Sequence, residues 1–510
     1  MTSYRAGSAA LAALLVASLA GCSTGDGRAA DSGVGDSGAA TSIPQGPVRQ
    51  DGDRPNIVYV LTDDMDSSLL RYMPEVQRMQ REGVSFSSYS VTDSLCCPSR
   101  ASTLAGQFPH NTGIFTNDPP DGGFQAFHDR GGERSTIGTH LQQAGYRTGF
   151  MGKYLNGYHP RNKQGGQQPY VPPGWNEWAV AGNGYPGYNY TLNENGKLTT
   201  HGDEPRDYLT DVLARKGNKF IRQNAEARRP FFLEVSTFTP HAPATPAPRD
   251  KGAFPGLTAP RGPAFNEADM SDKPRWLRDQ PALSPKQVSK IDRKYRKRAK
   301  SLQAVDDMLR RFRATLEATG QASNTHIVFN SDNGFHMGQH RLKPGKQTAF
   351  STDTNVPLFV TGPGVSAGRV AEQQVENVDL RPTFAELAGA PPAPDVDGHS
   401  FVGPLTGKPA PGWKTASLIE HHGPNTRAGD PDRPVKGGGN PPTYSAIRTP
   451  DGTYVEYADG QREYYDRRTD PHQLTNSYST LSATRQAALH DRLAALERCR
   501  GTDQCWAAGR

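Results

Sequence analysis

The sequence predicts an α/β fold: a large, mostly parallel sheet flanked by helices, followed by a small C-terminal antiparallel sheet with one helix. Three observations carry this. The runs 57–61, 146–151, 231–236 and 326–329 are short, strand-like and largely apolar, as in strands buried on both faces. Helical stretches at 73–82, 136–144, 207–224 and 295–316 alternate with them, which implies parallel strands covered by helices. After about Pro411 the pattern changes to short runs at 444–448, 452–457 and 462–466, joined by turns such as Asp451-Gly452, and then an amphipathic stretch at 481–497.

The chain has 510 residues, too many for one simple core, so we expect a large domain over 54–405 and a smaller one over 406–510. Residues 1–22 read as a secretory leader, with Arg5 as its positive residue and an apolar stretch over 9–20. Leu19-Ala20-Gly21-Cys22 resembles a bacterial lipobox. It implies acylation of Cys22 and a lipoprotein on the outer side of the cytoplasmic membrane; plain secretion is the alternative. Residues 23–53 are rich in Gly, Ser, Ala and Asp and read as a flexible tether. No later apolar run is long enough for an ordinary membrane-spanning helix. The net charge of +6 is compatible with an anionic substrate. The basic run 293–298 grades into Leu302, Val305, Met308 and Leu309 at helical spacing. It reads as a solvated helix face and not a nucleic-acid surface.

Each strand-like run ends in residues capable of chemistry. The first leads to Asp63-Asp64, the second to Lys153, the third to His241 and the fourth to Asp332-Asn333. In open α/β sheets ligands bind beyond the carboxyl ends of the strands. Adjacent carboxylates there repel unless a cation lies between them, although a solvated acidic turn is the plainer reading of the first pair alone. Lys346-Gln347-Thr348 precedes a further strand-like run at 356–361 and could reach the same edge.

Residues 94–106 are the centre of this arrangement. They read as a reactive loop feeding a helix, with Pro98 at the first helical position and Gly106 at its end. Free N–H groups at that terminus favour an anion, and Arg100 adds a planar donor fork. A cysteine so placed should be reactive. The alternative is two buried core cysteines, Cys96 and Cys97, beside a helix cap. Cys499 and Cys505 close a short loop and are candidates for a disulfide.

The spacing Cys96-Cys97-Pro98-Ser99-Arg100 resembles the signature of the type I sulfatases, whose fold is alkaline-phosphatase-like. With Gly152-Lys153-Tyr154-Leu155-Asn156, it is most similar to the N-acetylglucosamine-6-sulfatase and endosulfatase branch. The resemblance implies that a separate maturation enzyme oxidises Cys96 to formylglycine and that Cys97 stays a thiol. It implies one Ca²⁺ held by Asp63, Asp64, Asp332, Asn333 and the modified Cys96. Arg100, Lys153 and Lys346 are then expected to neutralise sulfuryl charge, and His241 to bind sulfate or protonate the leaving oxygen. In the implied reaction the hydrated aldehyde attacks sulfur with one hydroxyl and expels sulfate with the other.

Leu155 stands where many arylsulfatases carry a histidine, which leans the reading toward a sulfated sugar. Trp175, Trp178, Tyr185, Tyr188 and Tyr190, in the loop 160–190, offer flat faces for sugar rings, or else pack that loop onto the domain. The rival readings are a broad arylsulfatase, a phosphodiester or phosphonate hydrolase on the same scaffold, and a non-catalytic lipoprotein that binds sulfated glycans.

Overall fold

The computed structural model describes residues 54–393 and 395–510. The leader with Cys22 and the tether 23–53 lie outside the described residues.

Four strands form the centre of a ten-stranded sheet: β1 (Asn56–Thr62), β2 (Arg147–Lys153), β3 (Phe231–Ser236) and β4 (Thr325–Ser331). They are mutually parallel in the order β4-β1-β3-β2. Alternate residues of β1 feed two cores. Ile57, Tyr59 and Leu61 join Ala101 and Leu104 of the helix Cys96–Ala105 on one face. Val58 and Val60 join Leu302, Val305 and Met308 of the long helix Pro285–Ala318 on the other. This is the two-residue period of a strand buried on both sides, and it explains why the run is apolar throughout.

The register places the strand ends level. Leu61 pairs with Ser236, Thr62 with Ser331, and Gly152 with Ser236. The next residues of each strand therefore emerge at one edge. Gly152 has φ +106°, and a Cβ there would lie 1.9 Å from the Ser236 carbonyl oxygen. Glycine is thus required just before Lys153.

A strand at Leu358–Thr361 adds antiparallel to β4, ending the parallel run on that side. On the other side Glu177–Ala181 adds parallel to β2, next to the hairpin Tyr190–Glu194 and Lys197–His201. The first of these strands falls inside the stretch 160–190 that we expected to be irregular, and the hairpin begins at its end. Asn195-Gly196, both at positive φ, is the turn that announces the hairpin in the sequence. The long helix starts at Pro285, ten residues before the expected start at 295. Its first turns are mostly exposed and basic, with only Val288 and Ile291 facing the core, and Ser284 caps it in a capping box with Gln287.

The C-terminal strands Tyr444–Arg448, Gly452–Tyr457 and Arg462–Asp466 lie where expected, and Ser417–His421 completes an antiparallel sheet of four. Leu489, Leu493 and Leu496 of the helix Ala483–Leu496 pack against Leu418, Ile447 and Tyr454 of that sheet. Cys499 and Cys505 form a disulfide.

Candidate active site

The helix Cys96–Ala105 begins at Cys96, two residues before the expected start at Pro98. The Cys97 N–H is taken by Asn117 Oδ1 at 3.1 Å, and Pro98 has no N–H to offer. Side-chain cations, more than the helix terminus, are therefore what an anion meets here. Gly106 ends the helix at φ +68°, donating to the Ser102 carbonyl.

Cys96 is fully buried at the sheet edge, and its thiol donates to Asp63 Oδ1 at 3.1 Å. Burial, then Asp332, Asp432 and Asp63, push the thiol pKa well above its ordinary value. The expectation of a reactive cysteine is corrected accordingly. Burial and the surrounding carboxylates thus favour the protonated thiol over the thiolate. Cys97 is also buried, and burial pushes its thiol up to about 12.

The other expected residues converge on Cys96. Lys346 Nζ lies 2.8 Å from Cys96 Sγ and 2.5 Å from Asp64 Oδ1. Lys153 Nζ lies 2.7 Å from Asp63 Oδ2. Arg100 donates from Nε to Asp332 Oδ2 at 2.8 Å, and from Nη1 to the Lys153 carbonyl and Ser236 Oγ. Burial opposes the charge on both lysines, but Asp63 beside Lys153, and Asp432 and Asp64 beside Lys346, hold both ammonium groups well above the ordinary range.

Single oxygens of Asp63, Asp64 and Asp332 and the Cys96 sulfur lie within 4.8 Å of one another. Asn333 Nδ2 donates to Asp64 Oδ1 at 2.8 Å, whereas Asn333 Oδ1 is buried without a hydrogen-bond partner. Three carboxylates plus an orphaned amide oxygen form a donor set that fits a hard cation such as Ca²⁺. Arg298, from the long helix, steadies this corner by donating to the Asp64 and Pro240 carbonyls.

One site residue has no signal in the sequence. Asp432 is the buried charged residue in a largely exposed strap that joins Ser417–His421 to Tyr444–Arg448. Its Oδ1 accepts from Lys346 Nζ at 2.8 Å and pairs with His241 Nε2 at 2.7 Å, while Oδ2 accepts from Asn117 Nδ2 at 2.7 Å. Burial alone would raise its pKa, but Lys346 and then His241 hold it well below the usual carboxylate range. Only the strap's return across the sheet edge brings Asp432 here, and no local motif announces it.

The three donors around Asp432 are those an anion would use. Asp432→Ala removes one of two carboxylates beside Lys346 and the nearer of two beside His241; because Asp64 remains, the loss should fall below the about 3–5 kcal/mol of a fully broken buried pair. Added sulfate should partly replace the carboxylate and raise the thermal midpoint of the variant more than that of wild type. Equal sulfate-dependent shifts in the two proteins would rule out this role.

Tyr185 covers the lysine side, with Lys153 Nζ 5.1 Å from its ring centroid and the His241 ring 4.5 Å away. Beside it opens a cavity of about 220 Å³ lined by Lys153, Leu155, Asn156, Tyr185, Asn117 and Asp430. Trp175, Trp178 and Tyr190 are buried in the two main cores, so of the expected ring platforms these three pack the fold instead.

Behind Arg100, Glu234 of β3 is fully buried with Oε2 unpartnered, and burial pushes its pKa up to about 8. A carboxyl raised in the fold keeps its proton while the unfolded chain ionises. Its contribution to stability therefore falls as pH rises from about 4.5 to 8, by at most about 1.4 kcal/mol per pH unit. Glu234→Gln should flatten the fall in thermal midpoint over that window; a parallel pH profile would contradict the buried-acid assignment.

The sulfatase family model matches residues 55–390, and the model for the N-sulphoglucosamine sulphohydrolase C-terminal region matches 338–499. The human N-acetylglucosamine-6-sulfatase is 35% identical over 476 residues, covering 88% of this chain and 85% of its own length. An arylsulfatase of Volvox carteri is 31% identical over 514 residues, covering 88% and 75%. A solved structure of a protein in complex with its substrate D-glucosamine-2-N,6-O-disulfate superposes with a TM-score of 0.68 at 24% identity, covering 86% of this chain and 97% of that one. With the motif helix, the acidic cluster and the three cations meeting at one sheet edge, these matches are of one kind: the chain belongs to the sulfatase family.

Proposed function

We propose that this sulfatase releases inorganic sulfate from a sulfated sugar of the N-acetylglucosamine-6-sulfate type. The observation that carries the proposal is the convergence of Cys96, Arg100, Lys153, Lys346 and His241 beside the acidic cluster. Two features support a sugar. Leu155 lines the cavity where a second histidine would suit an arylsulfatase, and the relatives include N-acetylglucosamine-6-sulfatases.

In this reading Cys96 is converted to formylglycine, whose hydrate supplies the nucleophile that a buried thiol does not. Ca²⁺, held by Asp63, Asp64, Asp332, Asn333 and residue 96, would polarise a sulfate oxygen and favour the nucleophile's ionised form. The chain's own groups do the rest. Lys153 and Lys346 keep their charges in burial and face the negative charge that spreads over the sulfuryl oxygens. Arg100, clamped by Asp332 and Ser236, fixes the motif helix against the acidic cluster and adds positive potential. His241 Nδ1 faces the Ala242 carbonyl at 2.8 Å, so its other nitrogen, Nε2, is the one turned toward the site, able to bind sulfate or to pass a proton to the departing alcohol oxygen.

The proposal extends to organisation. Catalytic groups belong to a domain over 54–405, and a subdomain over 406–510 lends Asp432. The leader ending at Cys22 would export the protein and anchor it by lipid outside the cytoplasmic membrane, with the tether 23–53 as spacer. Loss of membrane-fraction recovery in Cys22→Ser tests the anchor; a wild-type protein found only in culture fluid contradicts it. The substrate is tested by comparing kcat/KM on N-acetylglucosamine-6-sulfate, sulfated oligosaccharides and nitrophenyl sulfate. Far better turnover of the aryl ester than of every sulfated sugar would overturn the sugar assignment.

A further inference from the structure

The long helix Pro285–Ala318 carries cations at a strict interval of four: Lys286, Lys290, Lys294 and Arg298. Residues four apart lie on one helix face, so these form a row about 18 Å long. Its inner end is the buried Arg298, which donates to the Asp64 and Pro240 carbonyls at the active site. Lys286, Lys290 and Lys294 are exposed, and Arg293 and Lys297 add a second exposed pair alongside.

These charges work against each other. Like charges at i,i+4 disfavour a helix. Among the described residues none of the five exposed cations has an ion-pair partner. The nearby carboxylate, Asp292, is engaged by Arg261 at 2.6 Å. Partial desolvation of its ammonium, then Arg298 and Lys290, press the Lys294 pKa below its ordinary value. An uncompensated cationic row that ends at an active site has the electrostatics of a polyanion track. An anionic membrane would be held by apolar anchors as well as charge. The large hydrophobic residues most exposed in the described chain, Val370 and Val435, are not on this helix.

We propose that the face of Lys286, Lys290, Arg293, Lys294 and Lys297 is a secondary binding site for a polyanionic sulfated polysaccharide, guiding the chain toward the catalytic edge. The inference rests on the sugar-sulfatase reading for its benefit to turnover, but binding is measured independently of it. The test compares the full-length protein with a K286Q/K290Q/R293Q/K294Q/K297Q variant and with a K286R/K290R/K294R/K297R control. Heparin is the polyanionic probe, and phosphatidylglycerol vesicles are the membrane probe. The glutamine variant should bind heparin about tenfold or more weakly at moderate salt and elute from immobilised heparin at lower salt, and the arginine control should match wild type. Its kcat/KM should fall on long sulfated chains and stay within about twofold on a monosaccharide sulfate. Unchanged heparin binding overturns the proposal. So does a loss confined to vesicle binding, which would make the face a membrane contact. If no sulfated sugar is hydrolysed by wild type yet heparin binding still depends on these residues, the substrate reading fails and the binding site stands.

Discussion

Cys96→Ala should abolish sulfate release, lowering kcat/KM by at least about a thousandfold, the scale seen when a nucleophile is removed. Cys97→Ala should keep kcat within a few-fold. The two thiols are adjacent and both buried, so sequence position alone does not separate them. Their surroundings do. Cys96 touches Asp63 and Lys346 at the sheet edge, whereas Cys97 lies in the apolar core with Tyr154 and Phe124. Loss of the Cys97 sulfur should therefore appear as lowered stability, on the order of 1 kcal/mol, and not as lost chemistry. Peptide mapping of protein from a host with the maturation enzyme should find the aldehyde or its hydrate at residue 96 and an alkylatable thiol at 97. An aldehyde at 97, or full activity in Cys96→Ala, would contradict the assignment.

Chelation should remove activity without unfolding the protein. A site made only of carboxylates would be strongly self-repelling when stripped of its cation. Here Lys153 pairs with Asp63, Lys346 with Asp64 and Arg100 with Asp332. The acidic cluster is thus balanced by three buried cations from elsewhere in the chain. Exhaustive chelation should lower turnover by about two orders of magnitude or more, with restoration by Ca²⁺. Far-ultraviolet circular dichroism should stay unchanged, and the thermal midpoint should fall only by the linkage amount set by metal affinity. Asp63→Ala should weaken Ca²⁺ binding and turnover together, and would also leave Lys153 without its nearest carboxylate. Full activity after chelation would contradict the metal assignment.

The strands that matter most were legible because each is buried on both faces and short. Residues 57–61 and 231–236 have few ways to be anything else, and the polar residue at each end marks the edge where chemistry gathers. Lys153, His241, Asp332 and Lys346 could be grouped from sequence because each lies just after or just before such a run. Asp432 could not, since it sits in a Pro- and Gly-rich strap whose path is decided by the small sheet on either side. The start of the long helix is harder to see because its first turns are mostly exposed and basic; Val288 and Ile291 continue the apolar period only thinly, and the Ser284–Gln287 capping box with Pro285 marks the start. Trp175 and Trp178 show that an aromatic cluster in an irregular stretch says little by itself. Their burial comes from β2 and its neighbour Glu177–Ala181, a pairing that no local pattern displays.

Sulfate release by wild type and Cys96→Ala, both produced with the maturation enzyme and supplied with Ca²⁺ and N-acetylglucosamine-6-sulfate, tests the central claim most directly. Stoichiometric sulfate from wild type and none above background from the variant is the predicted result. Equal release from both proteins, or release of phosphate from matched phosphate esters far faster than sulfate, would contradict a Cys96-centred sulfatase.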